Sequence, residues 1–166
     1  MRIAPLVTLR LDLLPLQPSH APEMALVLAD PALHVFIGGT PSTPEGLAAR
    51  YERLTAGSPD PAVCWLNWVL RVRESGELAG TVQATVTGDE AEVAWVIGTG
   101  LQGRGYASEA ARGMVGWLRQ EGVRTVVAHV HPDHRASERV AEAAGLTRTG
   151  EWQEGEVRWR LRGEDG

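Results

Sequence analysis

Hydrophobic and polar positions along this chain change period several times, and each change marks an element. Apolar residues alternate with polar ones from Leu6 to Leu13, which predicts a strand. Pro18-Ser19 opens a helix over Ala21 to Ala29, with Ser19 as its N-cap and Asp30-Pro31 as its stop. A second helix takes Thr43 as cap and Pro44 as its first residue, carries Leu47, Tyr51 and Leu54, and ends near Gly57. Three strands follow in close succession: Trp68 to Arg73, Gly80 to Thr87 and Glu92 to Ile97. The turns between them, Glu74-Ser75-Gly76-Glu77 and Gly88-Asp89-Glu90, are short enough to make the three an antiparallel meander.

The period then shifts to that of a helix. Ala107, Ala110, Ala111, Met114, Val115 and Leu118 recur at three- and four-residue steps and form one apolar stripe, which Gly122 terminates. A β-branched strand follows at Thr125 to Val130, then a short helix from Ala136 to Ala144 closed by Gly145. Thr147 to Gln153 and Glu156 to Leu161 read as a hairpin across Glu154-Gly155. The pattern is α+β, a central mixed and mostly antiparallel sheet of six to seven strands with about four helices on its faces.

Length and composition narrow the choice of function. The chain has 166 residues and 43% hydrophobic content, which suits one domain over 1–166. A formal charge of -5, with no basic cluster or arm, argues against nucleic acid as a partner. All sixteen positively charged residues are arginine, so neither a Schiff-base lysine nor a Walker-type phosphate loop is available. Cys64 stands alone beside Trp65; it excludes an internal disulfide and reads as a buried, inert thiol. Arg10 and Asp12 interrupt the apolar N-terminus, and no run of about eighteen apolar residues occurs. A soluble cytoplasmic protein without membrane contact is the expectation.

The candidate chemistry begins at Gln102-Gly103-Arg104-Gly105-Tyr106-Ala107, between an apolar strand and the striped helix. Glycines there can take positive φ and admit a ligand close to the backbone, while the following helix aims unpaired N–H groups and its positive dipole end at the same point. This is an anion cradle. Its Gln102, Gly105 and Ala107 match the acetyl-CoA motif Gln/Arg-x-x-Gly-x-Gly/Ala, and with Glu77 to Thr81, Glu92 to Ile97, His131-Pro132-Asp133 and Ala144-Gly145-Leu146 in order, nearly the whole chain resembles the GCN5-related N-acetyltransferases. Within them it is similar to the branch that acetylates ribosomal-protein N-termini and small amines. The resemblance implies that backbone N–H groups of Gly103, Arg104, Gly105, Tyr106 and Ala107 hold the CoA pyrophosphate. It also implies that the backbone of Trp95 and Ile97 pairs with the pantetheine arm, and that a primary amine, on a small molecule or a protein N-terminus, accepts the acetyl group from acetyl-CoA. Arg104, Arg135 and Arg139 face two readings, partners of the CoA phosphates or solvated surface charge.

Direct attack of an amine on a thioester needs a base for the ammonium proton, a donor toward the developing oxyanion and a proton for the leaving thiolate. Glu92 is the candidate base, acting through water; its plainer reading is a solvated strand-end carboxylate. Ser137 is the candidate donor toward the thiolate, with a capping or first-turn role in the short helix as the alternative. The tyrosine acid that many family members carry corresponds here to Ala141, which removes that mechanism. His134 stands where the family has an asparagine that contacts the pantetheine arm.

Three competing readings frame that assignment. His129, His131, Asp133 and His134 match an H-x-H-x-D-H zinc pattern, but no later histidine completes such a site, and no metal is expected. Gly98-Thr99-Gly100-Leu101-Gln102-Gly103 is a literal G-x-G-x-x-G, yet antiparallel strands precede it and the next strand ends in His129 rather than an acidic residue. A CoA-binding regulatory module without turnover is the third. The acceptor pocket falls to the segment His34 to Gly39, where Phe36 and Ile37 read as core packing, and to Asp89, Glu90 and Glu92. Monomer and homodimer both stay open.

Overall fold

The computed structural model describes residues 1–37 and 39–162, with Ile37 and Arg162 described by backbone alone. Gly38 and the side chain of Ile37, both part of the expected acceptor segment, lie outside the described residues. Among the described residues the chain runs β1 (Leu6–Val7), β2 (Leu11–Pro15), α1 (Ala21–Val27), α2 (His34–Ile37), α3 (Pro44–Ala56), β3 (Val63–Val72), β4 (Leu78–Thr87), β5 (Glu90–Ile97), α4 (Tyr106–Gln120), β6 (Thr125–Val130), α5 (Arg135–Ala143), β7 (Thr147–Gln153) and β8 (Glu156–Arg162). The eight strands form one sheet in the order β1-β2-β3-β4-β5-β6-β8-β7. Every pairing is antiparallel except β5 with β6.

Each face of the sheet is covered because its central strands are apolar on both sides. Trp68 and Leu70 of β3 join Leu11, Leu13 and Val82 beneath the α4 stripe of Ala110, Ala111, Met114 and Leu118. Val69, between them, points the other way and packs with Met24 of α1 and Leu47 and Tyr51 of α3. The Trp68 indole meets Trp117 edge-on at 5.6 Å and donates to the Ala4 carbonyl at 2.8 Å, so the largest core side chain has its one polar atom satisfied. Gly80 lets β4 and β5 close up, since a Cβ there would stand 2.0 Å from the Val96 carbonyl oxygen.

Several elements differ from their sequence reading. The single strand expected over Leu6 to Leu13 is a hairpin, with Leu6 opposite Leu13, whose turn holds neither glycine nor proline to announce it. Ser19 does not cap α1: a 3₁₀ turn, Pro18–His20, leads into that helix, which ends at Val27. α2 occupies a segment that read as loop, and β3 begins at Val63, five residues before Trp68. Thr43 caps α3 as expected, accepting from the Gly46 N–H at 3.0 Å.

The N-terminal hairpin matters because it grips the start of α4. Glu109, in the first turn, accepts from the Thr8 hydroxyl and, at 2.8 and 2.7 Å, from the backbone N–H and Nε of Arg10. Nη1 of Arg10 donates to the Arg104 carbonyl at 2.8 Å, and its guanidinium lies 4.6 Å over the Tyr106 ring. Burial alone would raise the Glu109 pKa, but the hydrogen bonds from Thr8 and Arg10 outweigh it and hold the carboxyl below its ordinary range. A carboxyl lowered by folding adds stability that is complete above its unfolded pKa, about 4.3, and is lost as pH falls through its folded value. Glu109→Gln is therefore expected to lower the melting temperature by a few degrees at pH 7, with the gap to wild type closing in acid. Thermal scans across pH check this; a gap that does not depend on pH contradicts the charge-assisted latch.

Candidate active site

β5 and β6 pair over only three residues, Glu90 to Glu92 with Thr125 to Val127, and then separate. β5 stays bonded to β4 along its whole length, so from Val93 onward only its other edge is left open. The Gly98 N–H goes to the Ala79 carbonyl on the β4 side; alternation then turns the polar groups of Ile97 and Trp95 toward the opening. Part of that edge is already used, because the Gln102 side chain donates to the Ile97 carbonyl at 3.0 Å. The opening widens into a cleft of about 520 Å³ bounded by β5, β6, α3 and α5 and by His34, Phe36, Gly39, Thr40 and Ser42.

Beyond the end of β5 lies the glycine cradle. Gly103 and Gly105 have φ of +80° and +81°, left-handed values that a side chain would strain. Gly105 is the N-cap of α4, and among the described residues no side chain caps that helix. Its first intrahelical bond runs from the Glu109 N–H to the Gly105 carbonyl, which leaves the N–H groups of Tyr106 and Ala107 without a helical partner. Arg10 fixes this bend from behind, through the Arg104 carbonyl. The Tyr106 ring lies buried under the Arg10 guanidinium, so only its backbone can serve a ligand. Donors converging on a helix N-terminus fit a phosphate group.

Glu92 and His129 meet across the mouth of the parallel pair, Nδ1 to Oε1 at 3.0 Å. The Glu92 side chain is 56% exposed and that of His129 12%. The other ring nitrogen, Nε2, is buried and has no partner among the described residues. In the sequence His129 stands out only as part of the zinc pattern and as the end of its strand. The signal available was its odd position in an otherwise apolar strand; its partner, 37 residues away, could not be read.

The other predicted residues cluster on α5 and β5. Ser137 is not the N-cap but lies in the first turn of α5, where its hydroxyl accepts from the Trp95 indole at 3.3 Å across the opening. His134 is the N-cap: Nδ1 accepts from the Ser137 N–H at 3.4 Å, and Phe36 stacks on its ring at 4.2 Å. Phe36 is thus not core packing as expected; it is 40% exposed and lines the cleft. Burial first, and the neighbouring His131 second, push the His134 pKa down, which keeps the ring neutral and able to accept. Burial pushes the Tyr51 phenol up to about 12, so at neutral pH it can donate but cannot act as a base. Ala141 is buried in the core. The histidines of the zinc pattern have separate tasks, with His131 Nδ1 accepting from the Asp133 N–H at 3.1 Å. Among the described residues no cluster of three His, Cys, Asp or Glu is arranged to hold a metal, and no helix is long and apolar enough to cross a membrane.

Comparison with known proteins places this geometry. The fold matches the ribosomal-protein-S5-alanine acetyltransferase of Vibrio fischeri (TM-score 0.81, 17% identity, covering 98% of each chain). It also matches RimL, the ribosomal L7/L12 alpha-N-protein acetyltransferase solved with coenzyme A (TM-score 0.78, 17% identity, 96% of this chain and 98% of that one). An acetyltransferase of Agrobacterium tumefaciens str. C58 aligns at TM-score 0.75 and 27% identity, covering 98% and 96% of the two chains. A sequence search of curated proteins finds no match. The family model described as the acetyltransferase (GNAT) domain matches residues 10–147. Spanning most of the chain, from the hairpin that grips the cradle to the strand after α5, that match makes the protein a member of the GNAT family and an N-acetyltransferase.

Proposed function

We propose that the protein transfers the acetyl group of acetyl-CoA to a primary amine, on a small molecule or a protein N-terminus, by direct attack within the cleft. The observation that carries the reading is the half-open β5, whose free edge leads from an acid–histidine pair to an uncapped, glycine-built helix N-terminus. The cradle fits a diphosphate: Gly103 meets open space where a Cβ would stand, and the N–H groups of Gly103 to Ala107 are the donors. The N–H of Ile97 and both backbone groups of Trp95 supply the edge for the pantetheine arm. RimL, which shares the fold, was solved with coenzyme A, and this supports the assignment.

Bound there, acetyl-CoA supplies an activated acyl carbon at the level of the cleft. Glu92 removes the proton that the acceptor's ammonium must lose, directly or through one water, and His129 keeps the carboxylate turned inward. Ser137 accepts from Trp95, so its own O–H is free to donate toward the departing sulfur.

Glu92→Gln is expected to lower kcat by about 10²- to 10⁴-fold, the range for a lost general base. His129→Leu should lower kcat about tenfold, the equivalent of one charge-assisted hydrogen bond, with His129→Gln recovering much of it and the KM for acetyl-CoA little changed. Gly105→Ala forces a left-handed residue onto alanine and a Cβ to 3.3 Å from Arg10 Nη2, so the loss there should fall on CoA affinity. Isothermal titration with CoA and mass-spectrometric acetylation of an amine and peptide panel measure both. Tight CoA binding with no acetylated product from any amine would establish the non-catalytic CoA-binding module instead. Absence of CoA binding would remove both readings.

A further inference from the structure

α3 breaks its own pattern on the side that faces the cleft. Leu47, Tyr51 and Leu54 repeat at the spacing that puts side chains on one helix face, and Arg50 falls in the same stripe, three residues after Leu47 and four before Leu54. All four line the cleft. Arg50 is exposed where the stripe reaches the cleft, and among the described residues it forms no hydrogen bond or ion pair. The remaining formally charged side chains on the described wall are Glu92 and Glu156, both on strands.

Position separates Arg50 from the donor substrate's phosphates. No residue of the cradle, Gly103 to Ala107, belongs to the cleft wall. α3 packs on β3 through Val69, whereas Glu92 stands on β5. Val69 pairs through Thr81 with Val96, four residues along β5 from Glu92, so the two footings lie about 10 Å apart across the strands and about 13 Å apart along them. The cleft therefore presents a cation at one side and a carboxylate base at the other, with the neutral amides of Asn67 and Gln83 lining the same wall.

Resting on the reading of Glu92 as the base that receives the amine, we propose that Arg50 selects the acceptor. The substrate carries a carboxylate several bonds from its reacting amine, and the guanidinium binds that carboxylate through its two-pronged donor set while the amine sits at Glu92. An α-amino acid is too short, because its two charged groups share one carbon. Two sources supply the right chemistry: a free ω-amino acid, or a chain whose N-terminus is followed closely by Asp or Glu.

Initial rates with acetyl-CoA test this on wild type, Arg50→Ala and Arg50→Lys. The probes are 5-aminopentanoate and 6-aminohexanoate against their amides, and tetrapeptide amides beginning Ala-Asp or Ala-Glu against Ala-Asn or Ala-Gln. Wild type is expected to favour the acidic member of one pair set by about tenfold or more in kcat/KM, and the set that shows it identifies the source. In Arg50→Ala the ratio should collapse to about one through a higher KM for the acidic probe, with Arg50→Lys between. Thermal melting and CoA titration report folding and donor binding separately. Equal use of acid and amide by wild type, preference for the amide, or a ratio that survives Arg50→Ala overturns the proposal while leaving acetyl transfer intact. Failure of wild type to acetylate any probe while CoA still binds overturns both.

Discussion

A strand that loses its partner halfway along is the constraint on which the rest of this structure depends. Backbone N–H and C=O groups in a half-buried strand require partners, and β5 has them on the β4 side throughout but on the β6 side for only three residues. Past Glu92 the two strands separate, while β6 stays paired with β8 as far as Val130. What remains is an edge inside the protein rather than at its rim. An extended ligand with amide groups can complete that edge as an added strand would. The Gln102 side chain, bonded to the Ile97 carbonyl, marks where the completion has to stop and the cradle begins.

The same logic ties the N-terminal hairpin to function. A cradle made of left-handed glycines is conformationally soft, since glycine loses more freedom on ordering than any other residue. Softness would lower affinity for an anion that needs several N–H groups converging at once. Arg10 removes it by bridging the Arg104 carbonyl, the Tyr106 ring and Glu109, with Thr8 completing the carboxylate's shell. The distant end of the chain thus fixes the loop that the glycines leave free.

What could be read in the sequence was whatever depends on neighbours along it. The α4 stripe, the Thr43 cap, the meander turns and the glycine pair each encode a local geometry, and the structure carries each of them. Its misreadings share a physical cause. The hairpin at Thr8 to Arg10 lacks a turn residue; beside the bonds between Thr8 and Leu11, its turn is held from far along the chain, by Arg73 and by Glu109. Phe36 read as core because it is aromatic, yet its stacking partner His134 lies at the mouth of the cleft. His129 sat in plain view, but its meaning lay in Glu92, which only the parallel pairing brings within 3.0 Å.

The protonation states on the cleft wall follow from burial as much as from residue type. Tyr51, with its phenol pushed up to about 12, holds its proton at neutral pH, and His134, pushed the other way, stays without a second one. Each is thereby confined to one role, donor for Tyr51 and, at Nδ1, acceptor for His134. Glu92 differs because more than half of its side chain is open to water while one oxygen is held by a largely buried imidazole. Anchoring keeps the carboxylate aimed and exposure leaves it within reach of an incoming ammonium, which the proposed base role requires. With Ala141 buried, the acid proposed for the departing sulfur is a hydroxyl that bridges the opening, Ser137 on α5 bonded to Trp95 on β5. The bridge reaches from one wall of the separated strands to the other, so under the proposed mechanism the gap that would admit the substrate also sets the position of its acid.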